Sequence, residues 1–380
     1  MSMQWSEEQR RLREDVRGWH DALSHGHVDR DRDAVFSRDT WDAMCASGVL
    51  RIPFDARWGG LGHDLLTTMY VLEDLGRGCR DGGVLFSGVT HVVSTGIALS
   101  RFGSPQLRDR YMPRVCEGSS IGAHAITEPE GGSDAMNMQT TAIDDGDAFV
   151  LDGRKAFVTN GPVAGLFVVY ARTDADAGAF GVTAFLVERE TPGVIVGDRI
   201  ETMGLRTSPL CELVLERCRV PKQNVVGKLG AGFALFDHVM KWEILCSFAV
   251  AVGKMQHRLE RCVEHARTRV QFGQPIGSFQ SIANKIVDMK IGVETSRKWL
   301  YDAAELVSDN TNALIDVAIA KLVVSEADLA SALAAVQIFG GQGYLTELGL
   351  EKDVREAVAG TIYSGTSEIQ RQRIARLLKL

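Results

Sequence analysis

The chain has 380 residues, 45% hydrophobic and 24% charged, the balance of a folded globular protein with room for two or three domains. A net charge of -7 argues against a nucleic-acid binder, which carries a basic excess, and leaves open a local basic patch for a phosphate-bearing partner. The opening Met1-Ser2-Met3-Gln4-Trp5 lacks a basic region followed by an apolar run, so no secretion signal is expected. No apolar stretch is expected to reach the roughly 20 residues that span a bilayer. Seven cysteines lie scattered without a Cys-x-x-Cys pair, which predicts reduced thiols in a cytoplasmic protein.

In chain order, Ser6 and Gln9 stand at capping-box spacing ahead of Leu12, Val16 and Trp19, predicting an opening helix. The polar stretch 24–33 reads as a loop. Helical patterning follows at 40–47, 65–75, 89–102 and 105–115, with Pro53 and the glycines of 59–62 marking a turn. Beyond Ile121 the pattern becomes short apolar runs, such as Leu166-Phe167-Val168-Val169-Tyr170 and Thr183-Ala184-Phe185-Leu186-Val187, punctuated by Gly, Asp, Asn and Pro. These predict antiparallel strands in a small barrel or sandwich, with no crossover helices for a doubly wound sheet. Long helices return at about 232–268, 279–307 and 312–338 and in the C-terminal segment, as in a four-helix bundle. The expected protein is mainly α with a central β domain, divided at 1–120, 121–230 and 231–380.

Neither a dinucleotide fingerprint, a P-loop nor a His-Glu-x-x-His zinc site is present, and the histidines form no ligand cluster, so no metal is expected. Gly118-Ser119-Ser120-Ile121-Gly122 has the nucleophile-elbow pattern, but the expected order is helix then strand, the reverse of what that motif needs. Near the end, Gly365 and two hydroxyl residues precede an apolar helix, with Thr366 or Ser367 as its N-cap. The segment Ala125-Ile126-Thr127-Glu128-Pro129-Glu130-Gly131-Gly132-Ser133-Asp134 could bring hydroxyls and backbone N–H groups to a polar cofactor edge, or could be a decorated turn.

Taken together the motifs resemble the acyl-CoA dehydrogenase family. Thr127-Glu128-Pro129 through Gly132-Ser133-Asp134, Phe157-Val158-Thr159-Asn160-Gly161, Arg269-Val270-Gln271-Phe272-Gly273 and Gln337-Ile338-Phe339-Gly340-Gly341 match its signatures in order over nearly the whole chain. Phe157 replaces the family's flavin-flanking Trp. The resemblance implies the family fold and FAD. Ile126, Thr127, Gly132, Ser133, Phe157 and Thr159 would hold the flavin ring, and Arg269, Phe272, Gln337 and Gly341 its adenine and diphosphate, partly across a subunit interface. Thr366 and Glu368 join the cofactor set, and a homotetramer, a dimer of dimers, is implied.

The family's C-terminal signature is Tyr-Glu-Gly-Thr with Glu as the catalytic base, whereas this chain has Tyr363-Ser364-Gly365-Thr366. A serine cannot take the α-proton unaided, although its backbone N–H can still serve a thioester carbonyl. Glu243 stands on a helical stripe with Val239, Met240, Cys246, Ser247 and Val250, where burial would raise its pKa toward that of a general base. The bland alternative is a buried Glu satisfied by a hydrogen bond. By resemblance, Glu243 sits where isovaleryl-type and long-chain members carry their base, with Ile244 in place of the Arg that commonly follows.

Trp242-Glu243, Glu264 to Arg269 and Ser364 to Ser367 are similar to the prolyl-carrier-protein oxidases of pyrrole biosynthesis, with Trp242 and Tyr363 beside the substrate. That likeness implies an L-prolyl thioester on a carrier protein, oxidised twice to pyrrolyl-2-carboxyl. A short or branched acyl-CoA is the alternative, and a flavin-binding scaffold without catalysis is another. Oxygen or an electron-transfer flavoprotein would take the electrons onward.

Overall fold

A computed structural model describes residues 4–380; Met1, Ser2 and Met3, on which the secretion-signal expectation partly rests, lie outside it. Helix α1 (Glu7–Arg17) starts on the expected capping box: Gln9 N donates to Ser6 Oγ at 3.2 Å, and Ser6 N to Gln9 Oε1 at 2.8 Å. The stretch expected to be a loop holds a helix instead, His27–Asp33. It lacks an apolar stripe and is tied down by ion pairs instead. Arg30 Nη2 donates to buried Asp81 at 2.8 Å, and Arg355 Nη2 donates to buried Asp31 at 2.6 Å. Partners 51 and 324 residues away cannot be read from a local window.

Helices α2 (Arg38–Ala46), α3 (Leu65–Gly78), α4 (Gly82–Phe102) and α5 (Pro105–Glu117) complete the N-terminal part. Within α4 the residues His91–Ile97 wind as a π-helix, a rare local form often found at functional sites. His91 ties this segment to the end of α5 and the start of the β module: its Nε2 donates to Val115 O at 2.9 Å, and Gly122 N donates to its Nδ1 at 2.9 Å.

The middle part is an eight-stranded sheet ordered β6-β7-β3-β2-β4-β5-β8, with β1 beside β4. The strands are β1 (Gly122–Ala125), β2 (Thr141–Asp145), β3 (Ala148–Thr159), β4 (Leu166–Arg172), β5 (Val182–Glu188), β6 (Val194–Arg199), β7 (Leu210–Pro221) and β8 (Val225–Val226). Most pairs are antiparallel as expected, but β1 runs parallel to β4, entering the sheet straight from α5. That entry order also disposes of the elbow motif, since Gly118 ends a helix and Gly122 begins a strand. Strands β4 and β5 are continuous apolar runs because both faces are covered. Leu166, Val168 and Tyr170 pack into the helical core, while Phe167, Val169 and Ala171 pack within the β module.

Helices α6 (Gly232–Thr268), α7 (Gln280–Ser308), α8 (Leu314–Phe339), α9 (Leu350–Gly360) and α10 (Ser367–Leu377) form the C-terminal part. Helix α6 crosses α3 with backbones in contact: a Cβ on Gly253 would lie 1.9 Å from Glu73 O. By length and mean hydropathy α4 and the segment Leu314–Tyr344 could each cross a bilayer, contrary to expectation. The apolar window of α4 is 94% buried within the fold, and α8 packs along α6 and α7. Among the described residues all seven cysteines are unpaired.

Candidate active site

Glu243 projects from the first third of α6, between buried Val239 one turn before it and Cys246, Ser247 and Val250 after it. Its side chain keeps 14% exposure. Two hydroxyls from distant elements donate to its carboxylate: Ser364 Oγ to Oε1 at 2.6 Å, and Ser94 Oγ, from the π-helical segment of α4, to Oε2 at 3.1 Å. His124 of β1 stands with Nδ1 4.0 Å from Oε2. Burial lowers its pKa to about 4, helped by Lys155, so it is neutral and supplies no cation. Burial raises the pKa of Glu243, while the two hydroxyls partly hold it down by favouring the ionised form.

Ser364 reaches Glu243 through a strained turn. The residue lies between α9 and α10 with φ +54, a left-handed conformation that serines seldom adopt. Gln370 Nε2 holds the turn by donating to Ser364 O at 3.0 Å and Gly365 O at 3.3 Å. Thr366 is the N-cap of α10, its Oγ1 accepting from Ile369 N at 3.2 Å.

Glu243 itself lines no opening, but its neighbours on α6 line two: Met240 and Ile244 one, and Ser247 and Val250 the other. A groove of about 710 Å³ runs between α6, α10 and the loop after β1, lined by Ser133, Phe236, Met240, Ile244, Lys241, Arg373 and Arg376. Phe236 reaches from it onto His124 and Tyr170, at ring separations of 6.4 and 6.1 Å. On the other side a cavity of about 30 Å³ is lined by Leu85, Phe86, Ser247, Val250 and Tyr363. Tyr363 stacks on Phe248 at 5.5 Å and meets Phe86 at 4.8 Å. Trp242 is only 5% exposed and lines neither opening.

The residues expected at a flavin fall into two groups. Near the groove, Ile126 is nearly buried, Thr127 and Thr159 are half-buried, and Gly132 and Ser133 are exposed. Phe157 stands 60% exposed on a bulge in β3, with φ +54. Part of the 125–134 motif is structural: Lys155 Nζ donates to Glu128 at 2.8 Å within the fold, and Glu128 also takes Thr140 N at 2.9 Å. The second group lies at the far end of the bundle. Phe272 is 94% exposed at the tip of a two-residue hairpin turn, and Arg269, Gln337 and Gly341 are exposed near the stacked His265 and Phe339. Glu368 is exposed in the first turn of α10.

Sequence reading missed Ser94, His124 and Tyr170. The one local trace was a histidine inside an otherwise apolar strand, Gly122-Ala123-His124-Ala125. His124 Nε2 and the Tyr170 hydroxyl are buried without a hydrogen-bond partner among the described residues.

The order of a helical entry part, a β module and a helical bundle is that of one family of oxidoreductases, whose models match almost the whole chain. Residues 6–119, 123–218 and 230–379 match the N-terminal, middle and C-terminal domains of acyl-CoA dehydrogenase. The chain belongs to the acyl-CoA dehydrogenase family. It is 39% identical to an L-prolyl-[peptidyl-carrier protein] dehydrogenase of a Serratia species, over 95% of this chain and 93% of that protein. It is 38% identical to the enzyme of that name from Pseudomonas fluorescens, over 91% of each. Among solved structures it is similar to the prolyl acyl carrier protein oxidase AnaB, with TM-score 0.96 and 41% identity, over 99% of this chain and all of that one. It is also similar to PigA with FAD and proline, with TM-score 0.97 and 38% identity over the whole of both chains.

Proposed function

We propose that the protein is an FAD-dependent oxidoreductase for an aminoacyl thioester, L-prolyl on the phosphopantetheine arm of a peptidyl carrier protein, with Glu243 as the base. The observation that carries this reading is the Glu243 carboxylate, isolated from any cation and oriented by two hydroxyl donors. One of those donors comes from Ser364, the residue standing where the family otherwise carries its base. The likeness to prolyl-carrier enzymes supports the substrate.

The chain's own residues suit a flavin. Phe157 presents a bare aromatic face held out by a bulge and a strained backbone, which a folded protein has little reason to keep unless something covers it. Ile126, Thr127, Gly132, Ser133 and Thr159 would hold the ring system beside it, with Arg269, Phe272, Gln337, Gly341, Thr366 and Glu368 serving the remainder. When bound, FAD accepts the hydride equivalent.

Glu243 takes the proton from the α-carbon. Its raised pKa brings it closer to the pH at which it must act, which is what a general base requires. The backbone N–H of Ser364 donates to the thioester carbonyl, where negative charge develops as the proton leaves. Phe236, Phe86 and Tyr363 exclude water around the reacting carbon. Arg373 and Arg376 in the groove suit the phosphate of the arm, beside Lys241, which is held by Asp237 at 2.6 Å. Two rounds, each giving one proton to Glu243 and one hydride equivalent to the bound flavin, would remove four hydrogens and convert prolyl to pyrrolyl-2-carboxyl after tautomerisation. Before the second round Glu243 must pass its proton to solvent, and oxygen or an electron-transfer flavoprotein must take the electrons onward.

A homotetramer accords with the exposed apolar side chains Phe272, Val287, Ile291, Leu333 and Tyr344 on the bundle. A cytoplasmic setting accords with seven unpaired cysteines. The test is anaerobic bleaching of the flavin by prolyl-loaded carrier protein beside a short branched acyl-CoA. Bleaching by the carrier substrate supports the reading; bleaching by the CoA ester alone replaces it with short-chain acyl-CoA oxidation. Bleaching by neither refutes both.

A further inference from the structure

Ser247 lies one helical turn beyond Glu243 on α6, on the same face, and lines the cavity of about 30 Å³. It is 5% exposed, and its hydroxyl has no hydrogen-bond partner among the described residues, not even the carbonyl one turn back that a mid-helix serine can take. The charged groups on the cavity wall are engaged. Lys254 pairs with Glu356, which also holds Lys352, and Asp328 pairs with fully buried Arg258. Leu85, Phe86, Val89, Val250 and Ala251 supply an apolar lining. A buried hydroxyl left unpaired costs stability that alanine would spare, so its presence in such a wall points to a partner that arrives with the substrate.

We infer that Ser247 is the specificity residue of this site, its hydroxyl accepting a hydrogen bond from the ring nitrogen of a small cyclic aminoacyl group whose α-carbon faces Glu243. The inference rests on the carrier-bound aminoacyl reading above and adds to it the residue that tells an amine-bearing ring from a carbocycle. A secondary amine offers an N–H in either protonation state, so recognition does not depend on the charge of the substrate. The cavity's small volume takes the far edge of a five-membered ring. The Lys254–Glu356 pair forms part of its wall, so a longer apolar tail reaching it would meet buried charges.

The experiment compares holoenzyme with two carrier-bound thioesters, prolyl and its carbocyclic counterpart cyclopentanecarbonyl. Anaerobic flavin reduction is followed in the wild type, Ser247→Ala and Ser247→Thr. Ser247→Ala is expected to lower kcat/KM for the prolyl substrate about tenfold, chiefly through KM, and to leave the carbocycle unchanged. Ser247→Thr, which keeps the hydroxyl, restores the preference. The alanine variant should melt no lower than wild type, since it loses an unpaired hydroxyl. An unchanged ratio between the two substrates, or an equal loss on both, overturns the assignment while leaving the prolyl reading in place. Failure of the wild type itself to oxidise the prolyl substrate overturns both.

Discussion

Replacing Ser364 by alanine removes the 2.6 Å hydrogen bond to Glu243 Oε1 and leaves Ser94 at 3.1 Å as the carboxylate's remaining donor. A hydrogen bond to a charged group in such surroundings is worth about 1.5–3 kcal/mol, and 1.36 kcal/mol moves a pKa by about one. Because the lost donor favoured the ionised form, the pKa of Glu243, already raised by burial, should rise further. A carboxylate can act as a general base only when ionised. The acid limb of the pH profile of flavin reduction should therefore move up by about one to two pH units, with the rate recovering at high pH. Rapid-mixing measurement of anaerobic reduction across the pH range is the assay. Ser364→Gly serves as a second variant, since glycine suits the left-handed backbone at φ +54 and also lacks the hydroxyl. A limb that stays in place in both variants, or moves to lower pH, would refute the assignment of Ser364 as the residue that tunes the base.

Glu243→Gln should lower flavin reduction by about 100-fold to 10,000-fold, read in the same experiment. The sign for stability is opposite: the raised pKa means that stability is lost as pH climbs from the unfolded value, near 4.5, through the folded one, so the variant should melt higher at neutral pH. Burial acts to raise the pKa of Glu356, but Lys254 and Lys352 outweigh it and hold the carboxyl down to about 2. Its contribution is present above about 4.5 and lost as pH falls toward 2. Glu356→Ala leaves two buried ammonium groups unpaired and should cost about 3–5 kcal/mol in denaturant unfolding at neutral pH. Phe157→Ala, at a ring 60% exposed, should leave the melting of flavin-free protein unchanged and weaken FAD roughly threefold to tenfold in equilibrium dialysis.

Much of this protein was legible in its sequence wherever the physics is local. Ser6 and Gln9 formed their capping box, Thr366 capped α10, and the change from helical to strand-like patterning after Ile121 marked the β module. Glu243 could be picked out because one charge in an apolar helical stripe must be buried, and burial of a carboxylate has a definite effect on its proton. The helix at His27–Asp33 was not legible, since its polar residues are held by Asp81 and Arg355, far off in the chain. Nor was the company Glu243 keeps: Ser94 from a π-helical turn, His124 from a parallel strand and Ser364 from a strained loop meet there only in three dimensions. Sequence by itself determined the order of the elements and the identity of the buried carboxylate, because period, capping and burial act over a few residues. Tertiary structure alone decided how that carboxylate is tuned and which hydroxyl beyond it stands free, because both depend on groups brought together from across the chain.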